Sequence, residues 1–177
     1  MVIALAGRRI DAPRARELRF PIRRETLVAA RIRRFFEERK ASALVSSAAC
    51  GADLLALEIA GQLSLRRRVV LPFPPSRFRE TSVEGCPGDW GPRYDRVLST
   101  VHDVMVLGYQ ENDPSSYRRA NQVILEEAAA LARGLRQPSC AVAVWDGHSR
   151  GSDDATAQFL SVARASCFDI AEIQTLP

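Results

Sequence analysis

Ser47-Ala48-Ala49-Cys50-Gly51-Ala52-Asp53 leaves a short apolar run (Ala43 to Val45) and enters a segment of helical period that carries Glu58 one turn further on. That order reads as strand, tight turn, helix. The amides at such a helix start lie open, and only small side chains let an anionic group reach them. The chain opens in the same way, with Val2–Ala6 running into Gly7, Arg8 and Arg9 and then Asp11. A third stretch, Trp145-Asp146-Gly147, leads to Gly151, Ser152, Asp153, Asp154 and Thr156, and a fourth runs from Pro72 and Phe73 through Pro74 and Pro75 to Arg77 and Phe78. Guanidinium forks suit phosphate. Carboxylates accept hydrogen bonds from ribose hydroxyls, and an aromatic (Phe73, Phe78 or Trp145) can stack on a base. The combination reads as a nucleotide-type site: Gly7, Arg8 and Gly51 at phosphate, with Arg9, Ser47, Asp146, Gly147, Asp154 and Thr156 among the further ligand-binding candidates, Asp53 and Asp153 at ribose or orienting the turns, Trp145 or Phe73 beside the base. If the site is catalytic, Glu58 or Asp153 is the carboxylate that would stabilise an oxocarbenium-like transition state in N-glycosidic cleavage.

Each of these residues also has a plainer use. Asp53 stands where a helix N-cap or first-turn acid is expected, and Asp153 or Asp154 is a natural N-cap for the last helix. Gly7 and Gly51 permit tight turns. The three prolines around Phe73 make a rigid turn, and Trp145 closes a strand end. Their common placement at strand ends favours the functional reading, because ligands of open α/β sheets sit outside the carboxyl ends of the strands.

The elements that must position them alternate along the chain. Apolar runs of strand length occur at Val2–Ala6, Ala43–Ser46, Arg68–Pro72, Asp103–Leu107, Ala141–Trp145 and Asp169–Ile173. They are apolar on both faces, as strands covered on both sides are. Between them, helical periods predict Glu25–Arg39, Ala52–Leu63, Trp90–Val101, Tyr117–Gly134 and Asp154–Ala165, with Gly134 as a C-cap of the fourth. The segments Asp11–Arg24, Phe73–Asp89 and Gly108–Ser116 read as irregular. The alternation predicts an α/β fold: a Rossmann-like, doubly wound, mainly parallel sheet of about six strands with helices on both faces. No composition shift splits residues 1–177, so a single nucleotide-binding domain is expected.

Composition narrows the function further. At 46% hydrophobic and 26% charged, the chain reads as a globular protein with enough residues for a sizeable core. It has no apolar run long enough for a bilayer and no secretory leader pattern, so a cytoplasmic location without membrane attachment is expected. The net charge of +4 is a weak footprint for nucleic acid, although Lys40 is the only lysine and the basic residues are otherwise arginine. Cys50, Cys86, Cys140 and Cys167 are scattered without a C-x-x-C pair, which disfavours zinc. Cys140 and Cys167 begin apolar runs and read as buried thiols. Cys50 sits at a helix start that would stabilise a thiolate, but no histidine lies near it in sequence. The chain also lacks the G-x-G-x-x-G of conventional dehydrogenases, the Walker motif of P-loop NTPases and the G-x-S-x-G elbow of α/β hydrolases.

Gly7-Arg8-Arg9-Ile10-Asp11, Cys50-Gly51-Ala52-Asp53-Leu54-Leu55-Ala56, Val70-Leu71-Pro72-Phe73 and Ala143-Val144-Trp145-Asp146-Gly147 occur in that order. Together they resemble the SLOG superfamily, Rossmann-like domains related to the LOG (lysine-decarboxylase-like) proteins and to the DNA-processing protein DprA. The resemblance implies a nucleotide or NAD-derived ligand at the strand ends. Its members include phosphoribohydrolases, nucleotide sensors and a single-strand DNA binder, and relatives often pair through an outer helix, which implies a homodimer. The LOG enzymes carry P-G-G-x-G-T-x-x-E. Aligned on Thr156, this chain has Ser152, Asp153 and Ala155 at the glycine positions and Phe159 at the glutamate position. The expected function is therefore binding of a nucleotide-type small molecule, with no obligatory cofactor. The alternatives are a phosphoribohydrolase-like activity and a DprA-like use of Arg8, Arg9, Arg77 and Arg79 on single strands.

Overall fold

In the computed structural model, residues 1–101, 103–111, 113 and 115–177 are described. The strands are β1 (Val2–Gly7), β2 (Ala43–Ser46), β3 (Arg66–Leu71), β4 (Asp103–Val106), β5 (Ser139–Trp145) and β6 (Asp169–Gln174). The helices are α1 (Glu25–Glu38), α2 (Ala52–Gln62), α3 (Pro75–Ser82), α4 (Trp90–Thr100), α5 (Ser116–Leu135) and α6 (Ala155–Ala165), with one 3-10 turn at Ile22–Arg24. All six strands form one sheet in the order β4-β3-β2-β1-β5-β6, and every pairing is parallel. The expected Rossmann-like architecture is therefore present.

The pleat sends alternate residues to opposite faces, and each face has its own core. On one, Ile3, Leu5, Leu44, Val69 and Leu71 pack with Val28, Ile32 and Phe36 of α1, with α2, and with Tyr94 and Val97 of α4. On the other, Val2, Ala4, Ala43, Val45 and Ala141 meet Ile124, Leu125 and Ala128 of α5 and Phe159 and Ala163 of α6. Alanines predominate on this second face, so α5 can lie across β1, β2, β3 and β5. Because α5 carries the chain from the β4 edge back past β1, the strand order reverses between β1 and β5. A crevice opens at the carboxyl ends of strands at such a reversal.

Three local expectations are corrected. Pro74 and Pro75 do not form a bare turn: Pro74 is the N-cap of α3 and Pro75 its first residue, where a missing N–H does no harm. Helix α5 runs past Gly134 and ends with Arg136 as its left-handed C-cap (φ 54°). Cys167 is exposed, whereas Cys140 is buried and its thiol is pushed up to about 11 by burial. Cys50 is joined to Cys86 in a disulfide. Among the described residues no helix is long and apolar enough to cross a membrane.

Candidate functional site

Two glycines set the shape of the crevice. A Cβ on Gly7 would lie 2.7 Å from the Val144 carbonyl oxygen and would also collide with the Ala52 side chain, so only glycine lets α2 start this close to β1. Gly51, the N-cap of α2, has φ 95°, and a Cβ there would lie 2.7 Å from the Arg8 carbonyl oxygen. The loops after β1, β2, β3 and β5 and the start of α5 then enclose a cavity of about 780 Å³. Gly7, Arg8, Arg9, Ser47, Asp53, Asp153 and Thr156 all line it.

Asp53 is the unusual group. It is 5% exposed, in the first turn of α2, and its carboxylate turns back toward the preceding loop. Ser47 Oγ donates to Oδ2 at 2.5 Å and the Ala49 amide donates to the same oxygen at 3.4 Å. Oδ1 is buried with no hydrogen-bond partner. Burial pushes the Asp53 carboxyl up to about 6, against the opposing pull of Ser47, of the Ala49 and Gly7 amides and of the Arg9 charge. A buried acceptor without a donor is costly, and this sets Asp53 apart from the paired carboxylates around the cavity.

The cations differ sharply in availability. Arg8 is 3% exposed and faces the wall. Its Nε donates to Asp146 at 2.7 Å, Nη1 to Asp154 at 2.8 Å and Nη2 to the His148 carbonyl at 2.6 Å, while the guanidinium lies 5.4 Å from the Trp145 ring centre. Asp154 also caps α6 by accepting from the Thr156 and Ala157 amides. Burial alone would raise the Asp154 carboxyl, but the Arg150 amide and Arg8 hold it below its ordinary value. Arg9 is exposed, and its guanidinium donates to the Thr81 carbonyl at 3.3 Å and to Cys86 Sγ at 3.5 Å. It has no carboxylate partner among the described residues. Arg118 and Arg150 complete the cationic rim, each only loosely paired: with Asp153 at 3.6 Å and with Asp154 at 3.7 Å.

Several predicted site residues stand elsewhere. Glu58 does not line the cavity; it pairs with Arg93 through both carboxylate oxygens, at 2.9 and 2.5 Å, and Arg93 reaches Glu25 as well. Phe73 is buried edge-on against Tyr117, and Trp145 is buried with its Nε1 donating to Glu172. Neither faces the cavity; Phe78 and Tyr117 do. Arg77 lies outside it in pairs with Glu80 and Glu111. Asp146 holds Arg8 and Arg19 in the wall, and Gly147 (φ 82°) turns the chain against Gln174. Asp153 is at the rim with its side chain 94% exposed, too solvated for the low-dielectric environment that tunes an acid catalyst.

Sequence reading missed Arg118, Asn121, Tyr117, Ser82, Arg150 and Arg19, which line the cavity. Arg118 and Asn121 are three apart at the start of a helix that follows a parallel strand, and that spacing was the available signal. Arg19 arrives through a fold-back: Asp11 accepts from the Arg19 and Phe20 amides and so closes the loop after β1 over the cavity.

No protein-family model matches the chain, and no curated protein does. Among solved structures, the chain is similar to DNA processing protein A (DprA) from Streptococcus pneumoniae, with 13% identity and a TM-score of 0.48 over 96% of this chain and 57% of that one. It is also similar to the Moco carrier protein from Chlamydomonas reinhardtii, with 16% identity and a TM-score of 0.40 over 98% of this chain and 90% of that one.

Proposed function

We propose that the cavity binds a nucleotide or nucleotide-derived small molecule, with phosphate toward Arg9, Arg118 and Arg150 and ribose hydroxyls toward Asp53. One observation carries this reading. The orphaned, buried Oδ1 of Asp53 and the carboxylate-free guanidinium of Arg9 line the same cavity. A ligand with both a hydroxyl donor and an anionic group satisfies both. Phosphate is attracted to the arginines, and a hydroxyl ends the isolation of the buried carboxylate. Tyr117, the exposed aromatic of the lining, is then the ring beside the base, in place of Phe73 and Trp145. The volume, about 780 Å³, is within the range of single small-molecule sites.

Single-strand binding is less well supported, because Arg8, Arg77 and Arg79 are each engaged by acidic residues of this chain. The phosphoribohydrolase alternative loses Glu58 to Arg93, and any acid chemistry at the cavity would fall to Asp53.

The reading is tested with AMP, ADP-ribose and NAD in thermal-shift and calorimetric titrations. At least one should raise the melting temperature in a concentration-dependent way. Its affinity should fall only shallowly with salt, whereas a polynucleotide groove would show a steep loss. Release of free base would move the assignment to hydrolysis. No response to any of the three would overturn it.

A further inference from the structure

We infer that Cys50 and Cys86 form a redox-operated latch on the wall of this cavity, closed as the disulfide and opened by a dithiol. The bond joins two segments 36 residues apart: the turn that starts α2 and the loop that follows α3. The positions of the two sulfurs are unequal. Cys50 is fully buried, while Cys86 is partly exposed, lines the cavity and lies 3.5 Å from the Arg9 guanidinium. Gly85 and Cys86 make no backbone hydrogen bond among the described residues, and Gly85 and Gly88 flank the cysteine with φ of 79° and 113°. The next fixed points are Glu84, whose amide donates to the Arg79 carbonyl, and Pro87, whose carbonyl accepts from Trp90 Nε1. Between them this part of the wall is held through Cys86, by the disulfide and by the long contact from the Arg9 guanidinium.

Cys86, the partly exposed residue of the pair, is the one an incoming thiolate can approach. Its attack on Cys86 Sγ forms a mixed disulfide and breaks the bond to Cys50 Sγ. The electron pair leaves on Cys50, two residues before α2, where the positive end of the helix lowers the cost of a thiolate until it takes up a proton. The second thiol of the reductant then attacks its own sulfur in the mixed disulfide and releases Cys86. The net change is one protein disulfide and one dithiol converted to two protein thiols and one cyclic disulfide. Opening frees the Gly85–Gly88 segment and removes the sulfur beside Arg9, so the wall loosens next to the cation assigned to phosphate. In a reducing compartment a bond of this type is a sensor more often than a permanent staple.

The effect on ligand rests on the nucleotide reading above; the latch itself does not, and its test separates the two. Mass-tagging of thiols in the full chain should count two when oxidised (Cys140 and Cys167) and four after treatment of the native protein with dithiothreitol. Amide exchange should quicken at least tenfold on reduction at Cys50, Val83 and Glu84, whose amides donate to the Ser82 and Arg79 carbonyls on either side of the bond, with β1 and β5 unchanged, and Cys86→Ser should reproduce the reduced pattern without reductant. AMP affinity should fall at least threefold in the reduced protein. Four free thiols in air-oxidised protein, a disulfide that resists dithiothreitol until the chain unfolds, or unchanged exchange at Cys50, Val83 and Glu84 would each overturn the latch. If exchange responds while AMP binds neither form, the latch stands and the nucleotide reading falls.

Discussion

Arg8 and Arg9 leave β1 side by side, and the extended chain sends their side chains in different directions. Arg8 enters a wall where Asp146, Asp154, the His148 carbonyl and the Trp145 ring already account for its guanidinium. Arg9 reaches the cavity and finds one carbonyl and one sulfur. The carboxylates divide in the same way. Asp146 and Asp154 are fully engaged, whereas Asp53 keeps one buried oxygen without a donor. Identical residue types at the same sheet edge are therefore either consumed by internal partners or left open toward the cavity, and the number of unfilled partners separates the two better than residue type does.

The largest effect on folding should come from Arg8→Ala. It takes the cation from between two carboxylates that are almost wholly shielded from water, leaving Asp146 to Arg19 and Asp154 to its backbone amides, and removing one partner from a buried network costs about 3–5 kcal/mol. Arg8→Lys should recover only part of this, since an ammonium cannot span both acids in fork geometry. Urea unfolding at neutral pH measures it. A loss under about 1 kcal/mol would break the contrast, because Arg8 would then be no more structural than an ordinary surface arginine.

Asp53→Asn should act in the opposite direction. The folded carboxyl sits at about 6, above its ordinary 3.8, so the folded state holds this proton more tightly than the unfolded chain. That contribution is fully present below about pH 4 and is lost as pH rises through 6. Asparagine carries no such penalty. The variant should match the wild type at pH 4 and exceed it by about 1–3 kcal/mol above pH 7, while AMP binding weakens. Equal stability at both pH values would show that Asp53 is as well satisfied as Asp154.

Much of the framework was legible in the sequence. Doubly apolar runs and helical periods locate all six strands and the five longer helices to within about two residues at most ends. Convergence at the strand ends followed from parallel topology. Pro74 and Pro75 misled because proline opens a helix as readily as it makes a turn. Glu58 misled because its partner Arg93 lies 35 residues away, on a helix whose position only packing fixes. Nothing in the order Arg8-Arg9 shows which arginine will meet acids from β5 and α6, and pairing at a sequence separation of 138 residues has no local trace. The availability of a charged group is a tertiary property, and the site was least legible where function depends on it.

Glu58→Gln tests a third charged cluster, intermediate between the two. Arg93 keeps Glu25 and its position over Trp90, so the loss should be about 1 kcal/mol, with AMP affinity unchanged. A loss of nucleotide binding would return Glu58 to the site.

Arg9→Ala should have the smallest effect on the fold. The side chain gives up two long contacts and no ion pair, and changes of that kind usually stay within about 0.5 kcal/mol. Binding should respond quite differently. A charge-assisted contact to phosphate is worth about 1.5–3 kcal/mol, so AMP affinity should fall about tenfold or more by calorimetry at low salt. Arg9→Lys should restore the charge without the fork and recover part of that loss. Partial loss of hydration against the cavity wall holds the Arg9 pKa below its ordinary value although the residue is exposed overall, and an arginine so shifted still carries its proton at neutral pH. The wild-type contact should therefore persist across pH 6–9, and a pH dependence beyond that of the AMP phosphate's own second ionisation should disappear in Asp53→Asn and remain in Arg9→Ala. If Arg9→Ala instead unfolds the protein while AMP affinity is retained, Arg9 belongs with Arg8 in the scaffold, and the phosphate must be sought at Arg118 and Arg150.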